Sequence, residues 1–318
     1  MSHYSTIALG PSHVDSAARL LARGRAERLE RCPLLEPALA DPAEARRIVE
    51  GYAGSASALF RDGVLAGFLR AEKKEDADWG SAVESGVDDW AFAEGLDSSA
   101  AALLYAAAFD PLANGVYEHR LYCPADDVEA LRTWFLLGFG VEQAYAAARL
   151  DELEAEAPGI EGIEIRRARA GDEDALAGLS PLIATMQAGP PVWAPAPESY
   201  LSAIREGYRG LATDPEAIAL IAWEGSRALG FLALFPMEGR AEGRAAELPV
   251  AGTLPEERGR GLGLALTAAG IEEARRSGFT SIFLDWRTTN PLASSFWRAR
   301  GFKPYLYRLS RRLPTAAL

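Results

Sequence analysis

Histidine is scarce in this chain, and its placement excludes more than its number: His3, His13 and His119 are the only three, all in the first half. The second half contains neither histidine nor cysteine. Ser-His-Asp hydrolysis, a cysteine nucleophile and zinc held by His or Cys are therefore excluded from the second half acting alone. His119 stands in an expected strand, where a structural role is the better reading. Cysteine is limited to Cys32 and Cys123, far apart in sequence, and both are expected to be free thiols of a reducing compartment. No apolar run approaches the ~20 residues of a membrane span, and Met1-Ser2-His3-Tyr4 does not open like a signal peptide. A cytoplasmic protein is expected. Basic charge is short as well, with 33 Lys and Arg against 45 Asp and Glu and a net charge of −12. Nucleic acid and anionic membranes require a strong basic field, so neither is expected as a partner. The acidity is compatible with a cationic substrate, although solubility alone explains it.

What the chain does have is a glycine-rich hexapeptide, Arg258-Gly259-Arg260-Gly261-Leu262-Gly263. It follows an apolar, strand-like stretch (248–254) and opens a helical one (262–276). Glycines at a helix start leave backbone N–H groups uncovered at the positive end of the helix dipole, which suits a phosphate or diphosphate. Arg258 and Arg260 add positive charge there. Three phosphate-binding patterns compete. A P-loop requires Lys-Ser/Thr after its last glycine, and Leu264-Ala265 stands there instead. The dinucleotide pattern G-x-G-x-x-G begins at Gly261 and finds an acidic residue, Asp285, about twenty residues on. Leu266 occupies its third glycine, however, and obstructs close helix–strand packing. This leaves a nicotinamide-dependent oxidoreductase as an alternative. The third pattern, [Gln/Arg]-x-x-Gly-x-[Gly/Ala], is matched in full by Arg258, Gly261 and Gly263. Downstream comes Asn290-x-x-Ala293-x-x-Phe296-Trp297-x-x-x-Gly301-Phe302.

These two motifs, in this order, resemble the GNAT superfamily of N-acetyltransferases, most closely over 247–308. The one departure is Trp297, where the family usually has Tyr. The resemblance implies an α/β (α+β) fold: a mixed, mostly antiparallel twisted sheet with splayed central strands flanked by helices. It also implies acetyl-CoA as acyl donor, with no metal. Pantetheine would pair along the free strand edge at Ala251, Gly252 and Thr253, and the diphosphate would rest on Gly259, Arg260, Gly261, Leu262, Gly263 and Leu264. Arg258, Asn290 and Trp297 complete the implied cofactor set. Pro249 removes a ladder donor from this strand, so a bulge or unpaired edge is expected there.

The chain also repeats itself. An offset of 163 residues brings Gly67-Phe68-Leu69 onto Gly230-Phe231-Leu232, Glu84 onto Glu247, and Gly115 onto Gly278. The same offset aligns Ala130 with Ala293, Trp134 with Trp297, and Gly138-Phe139 with Gly301-Phe302. Further upstream an offset of 156 matches Ile48, Glu50, Gly51 and Tyr52 to Ile204, Glu206, Gly207 and Tyr208, and Ile7 to Ile163. Two units sharing such a register share a fold. Two tandem copies are expected: 1–150, an acidic linker at 151–161, and 162–318. Each copy has roughly 160 residues, enough for its own core. At the offset of 163, Arg258, Gly261 and Gly263 fall on Gly95, Ser98 and Ala100, and Asn290 falls on Asp127. The first copy is thus expected to be degenerate, without the cofactor motif.

Acetyl transfer to an amine needs a base, a donor for the oxyanion and a route for the leaving thiolate. Glu247 matches the strand glutamate that serves as base in one branch of the family, and Asp285 is the second candidate. Backbone N–H groups near Gly252-Thr253 would meet the oxyanion. An indole N–H at Trp297 donates a hydrogen bond but not a proton; Ser294, Ser295, Tyr305 and Tyr307 are alternative donors. The proline-rich loop 188–197 is expected to shape the acceptor site, with Trp193 as a wall. The expected activity is transfer of an acetyl group to a primary amine of a small molecule or peptide, by a monomer or homodimer. The alternative is a non-catalytic acyl-CoA binder.

Overall fold

The computed structural model describes residues 3–76, 79–156, 159–237 and 243–314. The end of the expected linker, Ala157-Pro158, lies outside the described residues. The chain divides into two compact units, Met1–Ala144 with Pro304–Leu318, and Tyr145–Lys303.

The first unit begins with β1 (Tyr4–Ala8), α1 (Val14–Arg31) and α2 (Pro42–Glu50), followed by the hairpin β2 (Ala56–Arg61) and β3 (Val64–Arg70). The hairpin turns at Arg61-Asp62-Gly63, where Asp62 and Gly63 both have positive φ, the geometry of a tight two-residue turn. Next come β4 (Glu72–Asp76), β5 (Gly80–Ser85), β6 (Trp90–Phe92), α3 (Ser98–Phe109), β7 (Glu118–Pro124), α4 (Val128–Leu136) and β8 (Gly140–Arg149), whose later half, from Tyr145, belongs to the second unit. Strands β1-β2-β3-β6 form one sheet, and β4-β5-β7 continue into the chain's last strand, Lys303–Arg312. His119 lies buried on β7, as its strand assignment implied. Cys32 and Cys123 are both free thiols.

In the second unit β9 (Ile163–Arg167) precedes α5 (Glu173–Leu179), α6 (Pro181–Ala188) and α7 (Glu198–Gly210). The helical region before the proline-rich loop is therefore two helices, broken at Ser180-Pro181, because proline cannot donate to the preceding turn. The hairpin β10 (Ile218–Glu224) and β11 (Arg227–Met237) is apolar along both faces, and residues 218–222 and 229–234 are all buried. Strand β12 (Ala245–Thr253), α8 (Leu262–Arg276), β13 (Ser281–Arg287), α9 (Pro291–Ala299) and the final strand β14 (Lys303–Arg312) complete the chain. The order within this unit is β13-β12-β11-β10-β9. Helix α8 buries Leu262, Leu266, Ile271 and Ala274 and ends at Ser277-Gly278, with Gly278 at φ +77°.

Two features of β12 set up the site. Between Ala233 and Phe235 its register against β11 slips, so that Leu248 and Pro249 together oppose Leu234. This is the bulge that Pro249 required. Strand β12 then pairs in parallel with β13 only from Ala245↔Ser281 to Leu248↔Leu284. Beyond that point the two strands part.

The strand registers refine the internal match. Glu84 opposes Arg120 as Glu247 opposes Phe283, in keeping with the offset of 163. Leu69, however, faces Trp90 where Leu232 faces Ala251, so Trp90 and Phe92 stand where the second copy has Ala251 and Thr253. The residue before the long helix is Asp97 in one copy and Gly261 in the other. The segment between strand and helix is 93–96 in the first copy and 254–260 in the second. Gly95, Ser98 and Ala100 are thus not the structural counterparts of Arg258, Gly261 and Gly263, because a constant offset runs through an insertion and a deletion that compensate each other. The match of Ile7 to Ile163 fails for a related reason: Ile7 opposes Ala58, while Arg166 opposes Ile221.

Candidate active site and cofactor cleft

Where β12 leaves β13, residues 249–253 have a partner strand on one side only. After them a short 3-10 turn (Pro255–Glu257) leads into the glycine segment. Gly259 (φ +82°) and Gly261 (φ +85°) both take the left-handed conformation that costs a side chain about 1–2 kcal/mol. Gly261 is the N-cap of α8 and supplies no capping side chain, so the N–H groups that open the helix remain uncovered. Gly263 is different. A Cβ there would lie 3.7 Å from Phe296, an ordinary contact, and its φ is not in the positive region. Neither backbone nor packing within the chain demands glycine at 263.

A cavity of about 640 Å³ lies against this helix start. Of the residues that the sequence implicated in cofactor binding, Ala251, Gly252, Thr253, Arg258, Gly259, Gly261, Leu262, Gly263, Leu264, Asn290 and Trp297 line it. Trp297 is 8% exposed and is fixed edge-on by Phe296 and Phe302, with ring centroids 4.9 and 5.5 Å away. The Asn290 side-chain oxygen accepts hydrogen bonds from the N–H groups of Leu292 and Ala293, both 3.2 Å, and so caps α9. The sequence missed the opposite wall, Leu182, Ile183 and Met186 of α6, where Ile183 and Leu182 approach the Cβ position of Gly252 to 3.5 and 3.6 Å. No motif marks them, because their part is to supply apolar bulk. Arg300, stacked over Phe296 at 5.6 Å, was missed for a similar reason: it occupies a variable position of the second motif.

The two arginines of the hexapeptide part company. Arg258 is exposed at the mouth of the cavity. Arg260 turns away and pairs with Glu224 (2.8 Å) and Glu257. Glu247 and Asp285 lie beside the fork. Strand alternation and the Glu247↔Phe283 register put both carboxylates on one face of the β12–β13 pair. Neither is among the residues lining the cavity, and neither is without a partner. Ser294 and Ser295 donate to the carbonyls of Thr288 and Pro291. Tyr305 and Tyr307 fall among the residues of the first unit. Trp193 is 71% exposed and lines neither this cavity nor an adjoining one of about 590 Å³, which is walled by Pro190, Pro191, Pro255 and Pro291.

The corresponding place in the first copy is built differently. Trp90 and Phe92 pack on Trp134 with centroids 5.7 and 5.6 Å apart, and Trp134 is fully buried. The first copy's cavity, about 500 Å³, is lined by Arg23, Arg25, Arg28 and Arg31 of α1 together with Glu27, Glu94, Asp127 and Glu129. Asp88 pairs with both Arg25 and Arg28 at 2.5 Å. Asp97 caps α3 by accepting from the Ser99 N–H at 2.6 Å. Asp127 caps α4 through the Ala130 N–H, the same service that Asn290 gives α9. Among the described residues no group of three His, Cys, Asp or Glu side chains is placed to hold a metal, and no helix is long and apolar enough to cross a membrane.

Comparison with known proteins bears on the fold. Residues 184–302 match the acetyltransferase (GNAT) family model. Among solved structures, a GCN5-related N-acetyltransferase from Sphaerobacter thermophilus superposes with a TM-score of 0.58 at 19% identity, covering 99% of this chain and 98% of that one. A tandem GNAT protein from the clavulanic acid biosynthesis pathway gives 0.50 at 14% identity, over 99% of this chain and 100% of that one. The glucosamine N-acetyltransferase region of a fungal multi-domain β-N-acetylglucosaminidase gives 0.52 at 15% identity, covering 98% of this chain and 38% of the larger protein. No curated protein matches the chain by sequence. The chain therefore has the tandem GNAT fold, and the family match falls in its second copy.

Proposed function

We propose, starting from that GNAT module, that the protein moves the acetyl group of acetyl-CoA to a primary amine of a small molecule or peptide, by direct transfer in the second copy. The observation that carries this reading is one cavity bordered by the half-paired strand edge at 251–253 and by a helix start left open at Gly261. The strand edge offers amide groups to pantetheine, and the helix start offers N–H groups to a diphosphate. Gly263 is compatible with the same reading, since a small residue there keeps the cavity side of the helix start open to a ligand. Arg258 supplies the cationic partner. The dinucleotide alternative lacks support, because Leu266 is buried where that pattern needs its third glycine.

Glu247 is the preferred base, with Asp285 second, as both stand at the fork where the thioester end would lie. N–H groups near Gly252-Thr253 receive the charge that develops on the carbonyl oxygen. The amine nitrogen forms the new bond to the acyl carbon, the C–S bond breaks, and the base takes the ammonium proton. A thiol of ordinary acidity, near pKa 8.5, leaves as thiolate without an acid. Trp297 can steady it with an indole N–H but gives it no proton.

A second reading, a non-catalytic acyl-CoA binder, is favoured by one observation: neither Glu247 nor Asp285 lines the cavity. Coenzyme A release across a panel of amines separates the two. Transfer predicts turnover on at least one amine and a loss of about 10²–10⁴-fold in Glu247→Gln. Tight binding with no turnover on any amine favours the binder. Thermal stabilisation by NAD(H) and not by acetyl-CoA would overturn both.

A further inference from the structure

Glu257 is 7% exposed, the most buried carboxylate next to the glycine segment, and it joins two guanidinium groups. One oxygen accepts from Arg227 at 2.8 Å and the other from Arg260. Arg227 opens β11 and also pairs with Glu256 at 2.8 Å; Arg260 also pairs with Glu224, the last residue of β10, at 2.8 Å. The network thus ties the β10–β11 turn to both sides of Gly259. Of the two positive-φ glycines that follow Glu257, Gly259 has no packing at its Cβ position, which faces open space, and Gly261 meets only Ile160, at 3.8 Å.

We propose that Glu257 is a positioning residue for the diphosphate loop. Through Arg227 and Arg260 it holds residues 256–260 against the hairpin, so that the N–H groups of the helix start already converge before a ligand arrives. This inference rests on the proposed acetyl-CoA site and assigns Arg260, one of the two arginines of the motif, to the brace and not to the phosphate.

Simple electrostatics predicts the opposite sign, which makes the test decisive. A carboxylate beside a diphosphate repels it, so removing that charge and freeing Arg260 would tighten binding if charge alone mattered. As a brace, Glu257 is needed for binding. Coenzyme A affinity is measured by calorimetry in wild type, Glu257→Gln, Arg260→Gln and the double variant, together with amide hydrogen exchange of the unliganded proteins. The expected result is a loss of about tenfold in each single variant, with the double variant no weaker than either, since coupled residues are non-additive. Exchange at the bonded loop amides of Glu257 and Arg258, which donate to the Leu254 and Pro255 carbonyls, rises in Glu257→Gln while exchange in the core strands is unchanged. Binding by Glu257→Gln as tight as wild type or tighter, or unchanged exchange in the loop, overturns the brace. Absence of coenzyme A binding in wild type overturns the function proposed above, and the exchange result still decides the role of Glu257.

Discussion

Gly261 and Asp97 hold the same position in the two copies, one residue before the long helix, and they treat its opening N–H groups in opposite ways. Asp97 covers them with its own carboxylate, which accepts from Ser99, and this hydrogen bond holds its acid below the usual range. Gly261 leaves them open. Placing the carboxylate of the first arrangement in the second, as Gly261→Asp, is expected to weaken acetyl-CoA binding by about 100-fold, since it sets a negative charge at the open helix start. Gly261→Ala, which adds only strain, is expected to cost about 1–2 kcal/mol of stability. Calorimetric titration and thermal melts of the two variants check this.

Gly230 faces Thr253 across β11 and β12, and a Cβ there would lie 2.7 Å from the Gly252 carbonyl oxygen. Backbone cannot yield as a flexible side chain does. Gly230→Ala is expected to lose about 1–3 kcal/mol of stability and to weaken acetyl-CoA binding by displacing the strand edge. A melt that matches wild type would count against the close approach.

Much of this was legible from the residues. The hairpins, α8 and its glycine stop, and the bulge at Pro249 follow from local chemistry: turn glycines, helical spacing and a missing donor. The duplication was legible as well, but its fine register was not. An insertion before Trp90 and a shorter loop before Asp97 nearly cancel, so a fixed offset passes through both unseen, and only the ladder partners of Leu69 and Leu232 expose them. The split between Arg258 and Arg260 was hidden for another reason. Both are arginines in one motif, and only the hairpin partners Glu224 and Arg227, more than thirty positions upstream, show which guanidinium is engaged.

Arg258 at the cavity mouth should therefore dominate the charge dependence of binding. Arg258→Gln is expected to weaken coenzyme A by about tenfold at low salt and to flatten the salt dependence of its affinity. Titrations at two ionic strengths, in wild type and variant, test this.

Trp297 makes a prediction about acidity. If its indole N–H meets the sulfur, coenzyme A bound to wild type should have a more acidic thiol than free coenzyme A, and Trp297→Phe should abolish the difference. Ultraviolet absorbance of the thiolate as a function of pH, with affinity measured in parallel, is the readout. Equal acidity in both proteins, at equal affinity, would confine Trp297 to packing, the role of its counterpart Trp134.

His119 governs a pH effect on stability. It is buried on β7, 2.5 Å from the Tyr105 hydroxyl through Nδ1, and its Nε2 has no hydrogen-bond partner. Burial first, and then the charge of Arg311, push its pKa down to about 4. The unfolded chain takes up the proton near pH 6.5 and the folded protein only near 4, so stability present above pH 6.5 is lost as the pH falls through that window. The contribution is up to about 3 kcal/mol. Melting temperatures between pH 7 and 4.5 should fall more steeply in wild type than in His119→Gln.

The most direct test of the account is the stoichiometry of acetyl-CoA binding to the full chain. One equivalent is expected, weakened about 100-fold by Gly261→Asp, because one copy opens its helix start beside a half-paired strand and the other caps it. Two equivalents, or one that survives Gly261→Asp undiminished, would contradict the account.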